Sequence, residues 1–183
     1  CKNPFPSMPL KFWNDKNDNK FKDAYFNRFS NIWHHGDFAE IKKTRGFVIH
    51  GRSDTTLNPG GVRLGTAEIY SEVEKFKEIK ESIVVGQSWD NDVRIILFIV
   101  MNTKFYLTKD LLKKIKVQIR KNASPRHVPS KVIVVKDIPR TKSGKIVELA
   151  VKNTIEGNNI KNKEALANPR SLEQYRNLKE LTS

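Results

Sequence analysis

The stretch Val93-Arg-Ile-Ile-Leu-Phe-Ile-Val-Met101 sets the first limit on what this chain can become. Every residue in it except Arg94 is apolar, so the fold has to bury it, and disorder throughout is excluded. It is too short to span a bilayer, for which roughly 20 apolar residues are needed, and no other stretch approaches that length. No membrane partner is therefore expected. The start is polar and proline-rich, without the apolar core of a signal peptide. Cys1 is the lone cysteine, which excludes an internal disulfide framework and fits a reducing, cytosolic setting. Because the chain opens on that cysteine rather than on methionine, it reads as a piece of a longer protein.

Around the apolar run the pattern is that of an α+β domain. Residues 1–31 show no sustained period, only clusters such as Phe12-Trp13 and Tyr25-Phe26, which predict surface turns and short segments. Ile41 to His50 reads as a hairpin turning at Lys42–Gly46, and Gly51–Asp54 ends its second strand. A loop with three glycines and a proline, Thr55–Gly65, precedes a helix expected to cap at Thr66, with Ile69, Val73, Phe76 and Ile79 on one face. Strands follow at Ser82–Val85 and Val93–Met101. Thr108 is expected to cap a helix carrying Leu112, Ile115 and Ile119, and Lys131–Lys136 alternates as a strand. A loop through Pro139 and Gly144 leads into a helix over Ile146–Ile155, stopped by Gly157. A short final helix is expected after Asn168-Pro169. The domain boundary falls near Asp54: residues 1–53 read as the β-rich end of a larger amino-terminal domain, residues 54–183 as a small carboxy-terminal domain with a short sheet and packed helices.

Charge narrows the partner class. The net charge is +14, and from Lys104 to Lys163 there are sixteen Lys or Arg against four Asp or Glu. Such a surface attracts nucleotide phosphates, nucleic acid or acidic membrane. Nucleic acid is disfavoured, because stacking platforms are needed and only Phe105 and Tyr106 interrupt the basic stretch.

Three motifs carry chemistry. In Trp33-His-His-Gly-Asp37, a carboxylate in a glycine turn can accept two hydrogen bonds from a vicinal diol. Adjacent histidines rarely face one ion and no matching Cys or His cluster follows, so no metal site is expected. The segment from Gly51 to Glu68 combines Arg52 and Arg63 with Gly60, Gly61 and Gly65, pairing fixed cationic forks with backbone open to close approach. In Ile138-Pro-Arg-Thr-Lys-Ser-Gly-Lys-Ile146, Pro139 and Ile146 break the phosphate-loop pattern of NTPases. What remains is Lys145, an ammonium before a helix that can stabilise charge as an acyl phosphate forms.

Together, in this order and spacing, these segments resemble the adenylate-forming superfamily of acyl-CoA synthetases, peptide-synthetase adenylation domains and luciferases. Phe12-Trp-Asn-Asp15, Ala24-Tyr-Phe26, His35-Gly-Asp37, Leu57-Asn-Pro59, Arg126-His-Val-Pro-Ser130, Asn168-Pro169 and Tyr175-Arg176 are similar, nearly end to end, to the acetoacetyl-CoA synthetase family. The resemblance implies an AMP-forming ligase using ATP, accompanied by Mg2+, and CoA, through an acyl-adenylate and a rotating carboxy-terminal domain. It implies Asp37 and Arg52 at the ribose hydroxyls, Arg63 at the nucleotide, Asp54 at the hinge and Lys145 as the adenylation lysine. It places Gly60 and Gly61 beside the pantetheine path and Arg120 near the CoA nucleotide. Acetoacetate is the implied acid, with an acetyl or propionyl enzyme as the alternative. The phosphate loop, acyl pocket and magnesium ligands belong to the larger domain, so this piece alone is expected to be inactive. Thr55, Asn58 and Tyr70 depart from residues frequent in the superfamily.

Overall fold

The computed structural model describes residues 1–160 and 162–183, and it contains two compact units, Cys1–Asp37 and Phe38–Ser183. The first unit is held by aromatic rings. Trp33 is buried, stacks on Tyr25 with centroids 3.7 Å apart, and meets Phe5 and Phe26 edge-on. Its one α-helix, α1 (Asn19–Tyr25), starts where the Asp15 carboxylate accepts the backbone N–H groups of Lys20 and Phe21 at 2.9 and 2.8 Å. This helix was not predicted: it buries no residue fully, so it has no apolar stripe to show.

In the second unit, β1 (Asp37–Ile41) begins at the boundary residue and pairs with β2 (Phe47–Arg52) through the expected Lys42–Gly46 turn. α2 (Thr66–Val73) is capped by Gly65, with Thr66 its first residue rather than its cap. α2 ends before Phe76 and Ile79, and Ile79 opens β3 (Ile79–Trp89). β3 is longer than the expected Ser82–Val85 because its ends, Ile79 and Glu81 on either side of an irregularity at Lys80 and Gln87-Ser88 at the other end, also pair with β4 (Asp92–Met101). Asp90 and Asn91, both with positive φ (49° and 59°), make the tight connection that suits an antiparallel hairpin. α3 (Lys109–Asn122) is capped by Thr108, whose Oγ accepts the Leu111 N–H at 3.1 Å. Its buried stripe is Leu111, Ile115 and Ile119, so the face turns one residue from the predicted Leu112. β5 (Lys131–Val134) lies parallel to β4, and α4 (Glu148–Ile155) follows. The chain ends in 3-10 turns at Pro169–Tyr175 and Lys179–Leu181, in place of a regular helix.

The sheet order is β3-β4-β5, which puts the apolar run in the middle strand. Alternation along β4 then feeds two cores. Ile96, Phe98 and Val100 join Ile83, Val85 and Ile133 under α4 and the carboxy-terminal turns. Ile95, Leu97 and Ile99 join Val84 under α2, α3 and the Leu57–Leu64 loop. A strand covered on both faces has no polar side to show, which is why this run is continuous. Among the described residues no helix is long and apolar enough to cross a membrane.

Candidate functional site

The candidate residues arise from three loops and one helix end. β2 delivers Arg52, whose guanidinium meets the Asp54 carboxylate at 3.4 Å, and the Thr56 hydroxyl donates to the Arg52 carbonyl at 2.9 Å. Both charged side chains are exposed. Asp37 is likewise exposed and lies in the first unit, with the His35 ring 3.6 Å from its carboxylate. Arg63 is exposed and places its guanidinium carbon 5.7 Å from the centre of the Phe38 ring.

The glycine loop is pinched at its base. Leu57 and Leu64, both buried, exchange backbone hydrogen bonds of 3.0 and 2.8 Å, so the residues between them project outward. Gly60 and Gly61 are both left-handed (φ +58° and +75°), a conformation that L side chains rarely adopt. The Gly60 N–H donates to both oxygens of Asp92 at 2.9 Å. A Cβ at Gly60 would meet the Arg126 guanidinium at 3.6 Å, whereas one at Gly61 would meet nothing within 4 Å. The sequence does not single out Asp92, and it shows Arg126 only as the first residue of the Arg126–Ser130 segment that carries the resemblance, with no contact to the glycine loop.

Lys145 closes a tightly stitched loop. The Thr141 N–H donates to the Lys145 carbonyl at 2.8 Å, the Lys145 N–H to the Thr141 hydroxyl at 3.1 Å, and the Gly144 N–H to the Thr141 carbonyl at 2.8 Å. Arg140 donates to the Gly144 carbonyl at 2.9 Å and pairs with Glu81 at 3.1 Å. The backbone is thereby fixed while the Lys145 side chain is exposed. Beyond the loop, Glu148 at the start of α4 accepts the Tyr70 phenol proton at 2.5 Å, and the same phenol oxygen accepts the Val84 N–H at 3.0 Å. Burial, and then the Glu148 charge, push the Tyr70 pKa well up, so the phenol stays a proton donor.

These groups divide between the two sides of the sheet. The Lys145 loop runs into α4, whose Ala150 and Val151 lie in the first core. The glycine loop packs through Leu57 and Leu64 into the second core, beside α3. Arg120 stands exposed in the last turn of α3, beside a shallow groove with Lys113, Lys116, Val117 and Val128. Lys145 is therefore not brought together with Gly60, Gly61 or Arg120. Among the described residues no group of three or more His, Cys, Asp or Glu is placed to hold a metal ion. A cavity of 490 Å³ between α4 and the carboxy-terminal turns, lined by Gln87, Thr154 and Tyr175 among others, contains none of the candidates.

A further cluster joins β2 to the rest of this unit. The His50 ring lies 3.2 Å from Glu40 on one side and 3.6 Å from Glu68 on the other. The second Glu68 oxygen hydrogen-bonds the buried His127, whose other ring nitrogen is 2.8 Å from the Ser124 hydroxyl. A Cβ on Gly65 would come within 2.3 Å of the His50 carbonyl oxygen, and one on Gly51 (φ +135°) within 3.1 Å of the Thr66 hydroxyl.

Comparison with known proteins gives a consistent picture. The family described as AMP-binding enzyme C-terminal domain matches residues 68–145. The acetoacetyl-coenzyme A synthetase of Rhizobium meliloti (strain 1021) is 57% identical over 183 residues, covering 100% of this chain and 28% of that protein. The acetoacetyl-CoA synthetase of Xenopus tropicalis is 51% identical over 183 residues, covering 99% of this chain and 27% of that protein. The solved structure of acetoacetyl-CoA synthetase from Streptomyces lividans superposes with a TM-score of 0.88 at 40% identity, over 100% of this chain and 28% of that one. The chain thus spans little more than a quarter of the length of these relatives.

Proposed function

Since the chain belongs to the acetoacetyl-CoA synthetase family, we propose that the full-length protein is an acetoacetate–CoA ligase and that this part supplies its mobile carboxy-terminal lobe. In the first half-reaction the acetoacetate carboxylate attacks the α-phosphorus of ATP, expelling diphosphate and leaving acetoacetyl-adenylate. In the second the CoA thiol attacks that mixed anhydride and AMP leaves. Magnesium enters with ATP as part of the substrate, and the reaction takes place in the cytosol.

The observation that carries the reading is the placement of the Lys145 loop and the glycine pair against opposite faces of one small sheet. A lobe turning about Asp54 presents one face and then the other to a single bound adenylate. In the first position the Lys145 ammonium stabilises negative charge on the carboxylate and α-phosphate. In the second, Gly60 and Gly61 leave room for the pantetheine arm, and Arg120 meets the CoA nucleotide. Asp37 and Arg52 hold the ribose hydroxyls and Arg63 contacts the nucleotide. The rest of the same protein is the partner that supplies the acyl pocket, so this part alone performs neither half-reaction.

The test separates the two steps in the full-length protein. Lys145→Ala should lower acetoacetate-dependent ATP–diphosphate exchange by about 100-fold or more, while thioester formation from supplied acetoacetyl-adenylate and CoA continues. Equal loss of both steps contradicts the assignment.

A further inference from the structure

We infer that His50, Glu68 and His127, with Gly51 and Gly65, form a breakable joint that holds the lobe in one of its two positions. This rests on the ligase reading and on rotation at Asp54. The residues bracket that point: Glu40, His50 and Gly51 precede it, while Gly65, Glu68 and His127 follow it.

The contact is built, not incidental. At Gly65 the obstacle to a Cβ is the backbone of His50, which cannot swing aside as a side chain would. Gly51 makes the reciprocal approach toward Thr66. Two backbones therefore meet where only glycine fits, and the joint is closed by an alternation of acid and imidazole running Glu40, His50, Glu68, His127, with Lys42 on Glu40 and Ser124 on His127. The hairpin itself is not absorbed by the small lobe. Its Ile41, Phe47 and Ile49 are 68%, 70% and 55% exposed, an apolar surface suited to the larger part of the protein.

Glu68 and His127, by contrast, are fixed on α2 and beside α3, against the second core. If the hairpin stays with the large part while the lobe turns, His50 leaves Glu68 and Gly65. The joint exists in one position only, so its free energy sets how the two positions are populated. His50, Glu68 and His127 act as positioning residues, through one another and through the two backbones they join.

Two variants of the full-length protein test this by different means. Glu68→Gln removes charge and keeps shape, and Gly65→Ala drives the backbones apart. Each should change the ratio of diphosphate exchange to thioester formation by about tenfold, both in the same direction, one half-reaction slowing while the other holds or quickens. A merely structural role lowers both rates together, and that outcome, or an unmoved ratio in Glu68→Gln, overturns the joint. The wild-type protein separates the two ideas. If it lacks either half-reaction, the ligase reading falls and the joint with it; if it performs both and the ratio stays put, the joint alone falls.

Discussion

At the level of single residues, the contrast between Gly60 and Gly61 is informative. Both are left-handed, yet Gly60 is tethered to Asp92 and flanked by Arg126, while Gly61 faces open space. A side chain at Gly61 therefore costs little within the lobe beyond the strain of positive φ, about 1 kcal/mol for a bulky residue. Its effect should fall on whatever passes outside. Gly61→Leu is expected to leave diphosphate exchange within about twofold of wild type and to reduce CoA-dependent turnover by roughly 100-fold or more. Steady-state and exchange assays on one preparation decide it, and unchanged turnover refutes the placement. Lys145, Gly60 and Gly61 come forward from the sequence as members of motifs, and the roles proposed for them follow from the resemblance those motifs carry together. The contacts of Asp92, Glu68 and His127 are not legible there, because the partners lie 32 and 59 residues apart and only the folded chain brings them together.

At the level of elements, legibility followed burial. β4 declared itself because both of its faces are covered, and α3 because Leu112, Ile115 and Ile119 recur at helical spacing, although the buried stripe includes Leu111 in place of Leu112. β3 was under-read since its polar ends contribute backbone pairing and no apolar signal. The joint between α2 and α3 was invisible for a related reason: it is polar. Glu72, only 7% exposed, accepts hydrogen bonds from Asn122 at 2.8 Å, from Lys75 at 2.6 Å and from Gln118 at 3.1 Å. The Asn122 amide first, and Lys75 after it, hold the carboxyl pKa below its usual value. A folded-state pKa lower than the unfolded one means the stabilisation is fully present above the unfolded pKa and is lost as pH falls through the folded pKa. Glu72→Gln should therefore cost about 1–3 kcal/mol in urea unfolding at neutral pH. The deficit should shrink toward zero below about pH 4. An equal deficit at both ends of that range would place the effect in packing and not in charge.

At the level of the whole molecule, one three-stranded sheet organises both hydrophobic cores of the second unit, because its middle strand serves the two at once. That arrangement gives a small lobe two working faces, each with its own loop, and keeps them apart. Charge is the other global property, and it bears on which phosphates the surface meets. The excess of cations from Lys104 to Lys163 follows the outside of α3 and continues through the Lys145 loop, where the exposed side chains include Arg120, Lys142 and Lys145. Polyanion binding built on such scattered cations is dominated by counterion release and fades steeply with salt. Sequence-tolerant binding of single strands needs successive aromatic platforms as well, whereas the basic stretch offers the adjacent pair Phe105 and Tyr106, 40% and 81% exposed. The chain should accordingly bind single-stranded nucleic acid on a filter at about 0.02 M salt and lose at least about 100-fold in affinity by 0.2 M. Retention that survives the higher salt would mean that bases are being stacked or read, and the surface would then have a partner other than a nucleotide cosubstrate.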